Sequence, residues 1–172
     1  MKKKKKKMTF SQELKRTETI IRQFIYCKIK RKFNEKAKRE VECLLEISNE
    51  ILQTYPNDFA HIVFCDNMHR ISDVILQPQE MLNWGRITSL FTLGGEIAIR
   101  EPDMIENIIT WLHIATVRKL LWIIDYGGGW AGFLERYDKS QQRKQRTMNY
   151  FVCISALLSS PFFMYSLYKK YM

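Results

Sequence analysis

Glycine and proline are scarce, at 7 and 4 of 172 residues, which argues against many short strands joined by tight turns. Cysteine is limited to Cys27, Cys43, Cys65 and Cys153. None stands at metal-ligand spacing, and the four read as free thiols in a reducing compartment. The three histidines, His61, His69 and His113, form no HExxH pattern, and no GxSxG elbow appears. Gly127-Gly128-Gly129 lacks the Lys-Ser/Thr that would follow in a phosphate loop. No catalytic residue, metal ligand or cofactor site is therefore expected.

Charge is also absent where a nucleic-acid binder would need it. The formal charge is +10, from 28 Lys and Arg against 18 Asp and Glu. Twelve of the positives lie at the ends: Lys2 to Lys7, four between 139 and 146, then Lys169 and Lys170. The stretch 8–138 holds 16 basic and 18 acidic residues, a net of −2. A basic face across the folded part is not available, so no nucleic-acid partner is expected.

What is present suits a packed core: 46% hydrophobic and 13% aromatic residues. Ile20, Ile21, Phe24, Ile25 and Ile29 recur at helical spacing and predict an amphipathic helix over about 11–32. Val41, Leu44, Leu45, Ile51, Leu52 and Tyr55 predict a second helix. Pro56-Asn57-Asp58 should break it before a shorter apolar turn carrying Phe59 and Ile62. Residues 87–99 are apolar nearly all round, the mark of a helix surrounded by protein. Gly94 and Gly95 in its middle suggest a second backbone packed closely there. Glu101-Pro102-Asp103 should start another helix, over about 103–122. Gly127-Gly128-Gly129 then breaks the chain before Trp130, Phe133, Leu134 and Tyr137. The sum is an all-α domain of about seven helices over 9–138.

The two ends read differently. Residues 1–8 are dominated by six like charges and are expected to be a disordered basic tail. Residues 139–149 form a basic linker. Residues 150–168 follow, 19 positions without a charge; as a helix they span roughly 28 Å, about one hydrocarbon thickness. Arg143, Lys144 and Arg146 precede the run and Lys169 and Lys170 follow it, with tyrosines near its ends. A C-terminal transmembrane anchor is expected, inserted after translation with the domain facing the cytosol.

Two short motifs carry more information than composition. Asn83-Trp84-Gly85-Arg86, then Ile87 and Leu90-Phe91-Thr92-Leu93-Gly94-Gly95, resembles the first homology motif of the Bcl-2 family. Trp122-Ile123-Ile124-Asp125-Tyr126, with Gly128-Gly129-Trp130, Phe133, Leu134 and Tyr137, resembles the second. Leu44, Ile47, Ser48, Asn49, Glu50 and Ile51 fall where the third, death-ligand motif would lie, and Thr17 to Phe33 resembles the fourth. Three departures stand out. Asn49 follows Ser48 where that family has Asp, the second motif carries an extra glycine, and the loop between the first two helices is only about Asn34 to Lys38.

This resemblance implies a helical bundle with a buried central helix and a surface groove that receives an amphipathic helix from a pro-apoptotic family protein. The implied partners are such death-ligand helices and, through the tail, a membrane; homodimerisation stays open. The Arg of the first motif, here Arg86, would pair with an Asp of the incoming helix. Asn83 would add a hydrogen bond, and Gly85 would admit the ligand backbone. Ile51, Tyr55, Phe59, Ile62, Val74, Leu93 and Tyr137 are the groove candidates. Ordinary core packing is the competing reading for each, because groove and core share one apolar chemistry. Trp84, Trp122 and Trp130 read as structural. The paired glycine and the missing Asp lean toward an anti-apoptotic member at the mitochondrial outer membrane, or the endoplasmic reticulum. A pro-apoptotic, membrane-permeabilising effector and a tail-anchored adaptor are the alternatives.

Overall fold

Thr9 and Gln12 close a capping box that opens α1 (Phe10–Lys28). The N–H of Gln12 donates to Thr9 Oγ1, and that of Thr9 to Gln12 Oε1. Two orphan donors are satisfied at once, which sets the start of the helix. α1 stops short of the expected 32: Lys30 turns left-handed, at φ 54°, and its N–H bonds Cys27 O at 3.1 Å. That geometry cannot continue a helix. The computed structural model describes residues 9–30, 38–57, 59, 61–77 and 81–137; the basic tail, the linker and the expected anchor over 150–168 lie outside them.

α2 (Arg39–Thr54) ends before Pro56, whose ring excludes the helical conformation at Tyr55 (φ −133°, ψ 65°). Phe59 and Ile62 follow in irregular chain, yet both are buried. Then come α3 (Met68–Leu76), α4 (Trp84–Arg100), a 3₁₀ turn at Pro102–Met104, α5 (Ile105–Val117), α6 (Leu120–Asp125) and α7 (Gly129–Tyr137). The described residues are thus all-helical, with seven α-helices and no strand. None of these helices is long and apolar enough to cross a membrane.

The single helix expected over 103–122 is divided, and this corrects the sequence reading. Lys119 leaves the helical region (φ −107°, ψ 7°) and its N–H bonds Thr116 O, three residues back. The bend lets Leu120 and Ile123 enter the core, where both are fully buried. Periodicity continues through such a bend, so the apolar pattern alone could not mark it.

α4 lies at the centre, with α1, α2, α3 and α5 packed on it. Every residue from Trp84 to Gly95 is buried. Two of its threonines bond back into the helix: Thr88 Oγ1 donates to Trp84 O at 2.7 Å and Thr92 Oγ1 to Thr88 O at 2.9 Å; the buried Ser89 hydroxyl has no partner among the described residues. Side chains, and no second backbone, press on the paired glycines. A methyl at Gly94 would stand 2.7 Å from Leu112 Cδ1, and one at Gly95 would meet Lys28 Cε at 2.9 Å and the Phe24 ring at 3.2 Å. The Lys28 stem crosses Gly95 to pair with Glu96 at 3.0 Å.

A buried polar node ties α1, α2 and α7 together. Glu13 is only 3% exposed. Its carboxyl group lies 3.9 Å from Arg16, which also pairs with Glu40 of α2 through Nε at 3.0 Å. Burial raises the Glu13 pKa; Arg16 and the Trp130 N–H oppose that rise, and Glu40 adds to it. The folded chain therefore binds a proton at Glu13 more tightly than the unfolded chain does. The stability due to Glu13 is greatest below its unfolded pKa and falls as pH rises toward its folded one. In a thermal-denaturation series, the Tm of the parent chain relative to Glu13→Gln is expected to climb as pH drops toward the ordinary carboxylate range. A difference that does not vary with pH would remove Glu13 from the titrating groups.

Candidate functional site

Asn83 is the N-cap of α4. Its Oδ1 accepts the N–H of Arg86 at 3.0 Å, and its Nδ2 donates to Met81 O at 3.1 Å. Asn83, Gly85 and Arg86 therefore share one rigid helix start. Capping consumes the Asn83 carbonyl oxygen and leaves one amide hydrogen uncommitted.

Arg86 is 4% exposed. Its Nη1 donates to Ile75 O at 3.0 Å and also to Gln77 O, at the C-terminal end of α3. Among the described residues no carboxylate pairs with it. A guanidinium held by two neutral carbonyls keeps its charge uncompensated, and a carboxylate is the stronger acceptor for it. The geometry thus offers a carboxylate a cationic anchor at the junction of α3 and α4.

The remaining candidates differ in burial. Ile51, Phe59, Ile62 and Leu93 are buried in the core, while Tyr55, Val74 and Tyr137 are half-buried against it. Ile62 lies at the far end of α4, where Arg100 donates to its carbonyl. Residues 86 and 100 of one helix are about 21 Å apart at 1.5 Å per residue, so Arg86 and Ile62 sit at opposite ends of α4. Tyr137 stacks on Phe133 with centroids 4.9 Å apart, and Phe133 stacks on Trp84 at 5.1 Å. That chain of rings puts Tyr137 at the Arg86 end. A cavity of about 420 Å³ lies elsewhere, between α3 and α5, walled by Phe64, Met68, Trp111 and Ile114; it does not include Arg86.

Trp84 joins the two sequence motifs physically. Its ring packs on Trp122 (6.0 Å) and Trp130 (5.2 Å), and its Nε1 donates to Gly127 O at 3.2 Å. Trp130 in turn donates from Nε1 to Thr17 Oγ1 at 2.8 Å. Each buried indole has the partner it needs. The added glycine also acquires a reason. Gly128 and Gly129 both take positive φ, 74° and 66°, and a methyl on Gly129 would stand 2.6 Å from Glu13 Oε1. The glycines make room for the Glu13 carboxylate at the start of α7.

Glu13 and the α3 carbonyls were not among the sequence candidates. For Glu13 a signal existed: it lies on the same helical stripe as Thr17, Ile20, Ile21 and Phe24, and an acid on an apolar stripe must find a buried partner. For the carbonyls of Ile75 and Gln77 there was none, since backbone acceptors carry no residue identity.

No family model matches the chain. Apoptosis regulator Bcl-2 of Gallus gallus is 30% identical to it over 112 residues, 58% of this chain and 48% of that protein. Bcl-2-like protein 1 of Sus scrofa is 30% identical over 70 residues, 38% of this chain and 30% of that protein. Apoptosis regulator BAX of Mus musculus is 34% identical over 61 residues, 32% of this chain and 31% of that protein. The matched segment spans less than half the length of each relative. Two homology motifs meeting on Trp84, an all-helical arrangement around a buried α4, and these three likenesses converge: the chain is similar to members of the Bcl-2 family.

Proposed function

We propose that this protein is an anti-apoptotic regulator that captures amphipathic death-ligand helices along α4 and thereby blocks permeabilisation of the mitochondrial outer membrane. The role is non-catalytic. Recognition is of the helix-in-groove kind: apolar anchors at i, i+3 or i+4 and i+7 enter pockets, and one charge pair sets the register. Arg86 supplies the cation of that pair. The uncharged run 150–168 with basic flanks would hold the domain at the membrane.

The observation that carries this reading is the fate of the chain's own death-ligand segment. On α2, Leu44, Ile47 and Ile51 are spent in the core, and Asn49, in the place of the Asp, is exposed. A segment so buried and lacking its carboxylate is a poor ligand for another groove, while among the described residues no carboxylate pairs with Arg86. The chain is built to receive more than to donate.

Titrating the chain with a panel of synthetic death-motif helices tests the reading. At least one is expected to bind with sub-micromolar Kd, tighter than about −8 kcal/mol. Arg86→Ala should weaken it by about 2–5 kcal/mol, the usual loss when one partner of a buried charge pair is removed. Absence of binding to every peptide by a folded, helical chain would sink the proposal. The 34% identity to a BAX segment favours an effector as the second reading, and leakage of mitochondrial-lipid liposomes induced by the activated chain would support it.

A further inference from the structure

The cavity of about 420 Å³ between the start of α3 and α5 shares no residue with the Arg86 site. Its apolar walls are Phe64, Met68, Trp111, Ile114 and Ala115, and the free thiol of Cys65 stands among them. These walls are held in place before anything enters. Trp111 Nε1 donates to Met68 O at 2.9 Å in a buried bond, and the Phe64 ring meets the indole edge-on at 6.4 Å. The N–H of Phe64 donates to Glu101 Oε1 at 2.9 Å, and Ser72 Oγ to His69 O at 2.7 Å. An apolar hollow with a few polar groups at its rim is the usual form of a small-molecule site, and its rigidity lowers the ordering cost of binding.

The two ends of the hollow differ in charge. Along α5 and its cap, Asn107, Thr110, Ile114 and Arg118 follow one stripe on the rim, spanning roughly 16 Å at 1.5 Å per residue. Met68 lies against Trp111 and Asp73 against Arg118. That register puts Asp66, the acid on the rim, at the end opposite Arg118. Arg118 approaches Asp73 only to 3.6 Å, with the two side chains 54% and 46% exposed. Such a pair contributes little, so an incoming carboxylate can replace it at small cost. We infer that this cavity is a second binding site, for a single-chain amphiphilic carboxylate of the fatty-acid type. The carboxylate sits on Arg118, the hydrocarbon runs past Ile114 and Trp111, and its tip rests against Phe64 and Cys65. A guanidinium takes a carboxylate in two charge-assisted hydrogen bonds, and the hydrocarbon removes the apolar walls from water.

Alkylation of the full chain by N-ethylmaleimide, followed cysteine by cysteine with mass spectrometry, reads occupancy: Cys65 lines the cavity, and Cys27 and Cys43 do not. Dodecanoate below its micelle concentration is expected to slow Cys65 several-fold at saturation and to leave Cys27 and Cys43 unchanged. Dodecanol should need a concentration about tenfold higher for the same protection, because it lacks the charge-assisted bonds. Arg118→Gln should abolish that preference for the carboxylate. Asp73→Asn should raise dodecanoate affinity by up to about fivefold, since the competing acid is gone. Thr110→Trp places a ring on the exposed rim, where folding tolerates it, and should end protection by dodecanoate. Equal slowing of all cysteines, no slowing of Cys65, or protection that persists unchanged in both Arg118→Gln and Thr110→Trp would overturn the inference. Slowing of Cys65 by phosphatidylcholine vesicles free of fatty acid would assign the surface to a bilayer and overturn it as well.

Discussion

Gly129→Ala is expected to lower stability by about 2–5 kcal/mol, among the largest effects of any single methyl in this chain. Two costs add. A non-glycine residue held at φ 66° loses about 1–2 kcal/mol to the clash of Cβ with its own backbone. The new methyl would also stand 2.6 Å from Glu13 Oε1, and overpacking of this kind typically costs about 1–3 kcal/mol. A Tm fall of roughly 5–15 °C follows for a chain of this size. The double variant Glu13→Ala/Gly129→Ala should be less destabilised than the sum of the two singles, since removing the acid removes the collision but not the strained φ. If Gly129→Ala unfolds within about 0.5 kcal/mol of the parent, the close approach of α1 to the glycine turn is wrong.

Trp84→Ala is expected to cost about 3–5 kcal/mol, the range for truncating a fully buried Trp. Trp84 has no exposed surface and contacts Trp122, Trp130 and Phe133 at ring-centroid distances of 5.1–6.0 Å. Its loss therefore detaches α6 and α7 from the start of α4 together. Trp84→Phe keeps most of the apolar contact but leaves Gly127 O without its donor; about 1–3 kcal/mol is the expected penalty for that unmet carbonyl. Denaturant titration of both variants checks the order. Equal losses would assign the effect to the hydrogen bond, and a negligible loss in the alanine variant would dissolve the cluster as a structural unit.

Much of the bundle was legible in the residues. The run 87–99, apolar nearly all round, predicted the central position of α4, because a helix with no polar face must be enclosed; the start of α4 at the Asn83 cap came from the structure. Pro56 ended α2 where its ring forbids the helix. The first motif placed Arg86 one turn inside α4, beside its cap. Other parts were not legible, for identifiable reasons. The bend at Lys119 interrupts neither charge pattern nor apolar period. The pressure on Gly94 and Gly95 comes from Leu112, Phe24 and Lys28, residues remote in sequence. The wall candidates were chosen for apolarity, and apolarity serves core and groove equally; burial of Ile51, Phe59, Ile62 and Leu93 is information that only packing supplies.

The sequence by itself determined the helical class, the family signature at Asn83–Arg86 and the enclosure of α4, because helix periodicity, capping and proline act over a few residues. Tertiary structure alone decided what the buried charges do. Arg86 rests on the carbonyls of α3, and Glu13 rests in the glycine turn 116 residues away in sequence. Both outcomes follow from one physical requirement: an ionisable group taken out of water is costly unless its surroundings accommodate it, and in a folded chain those surroundings are set by which other segments pack against it.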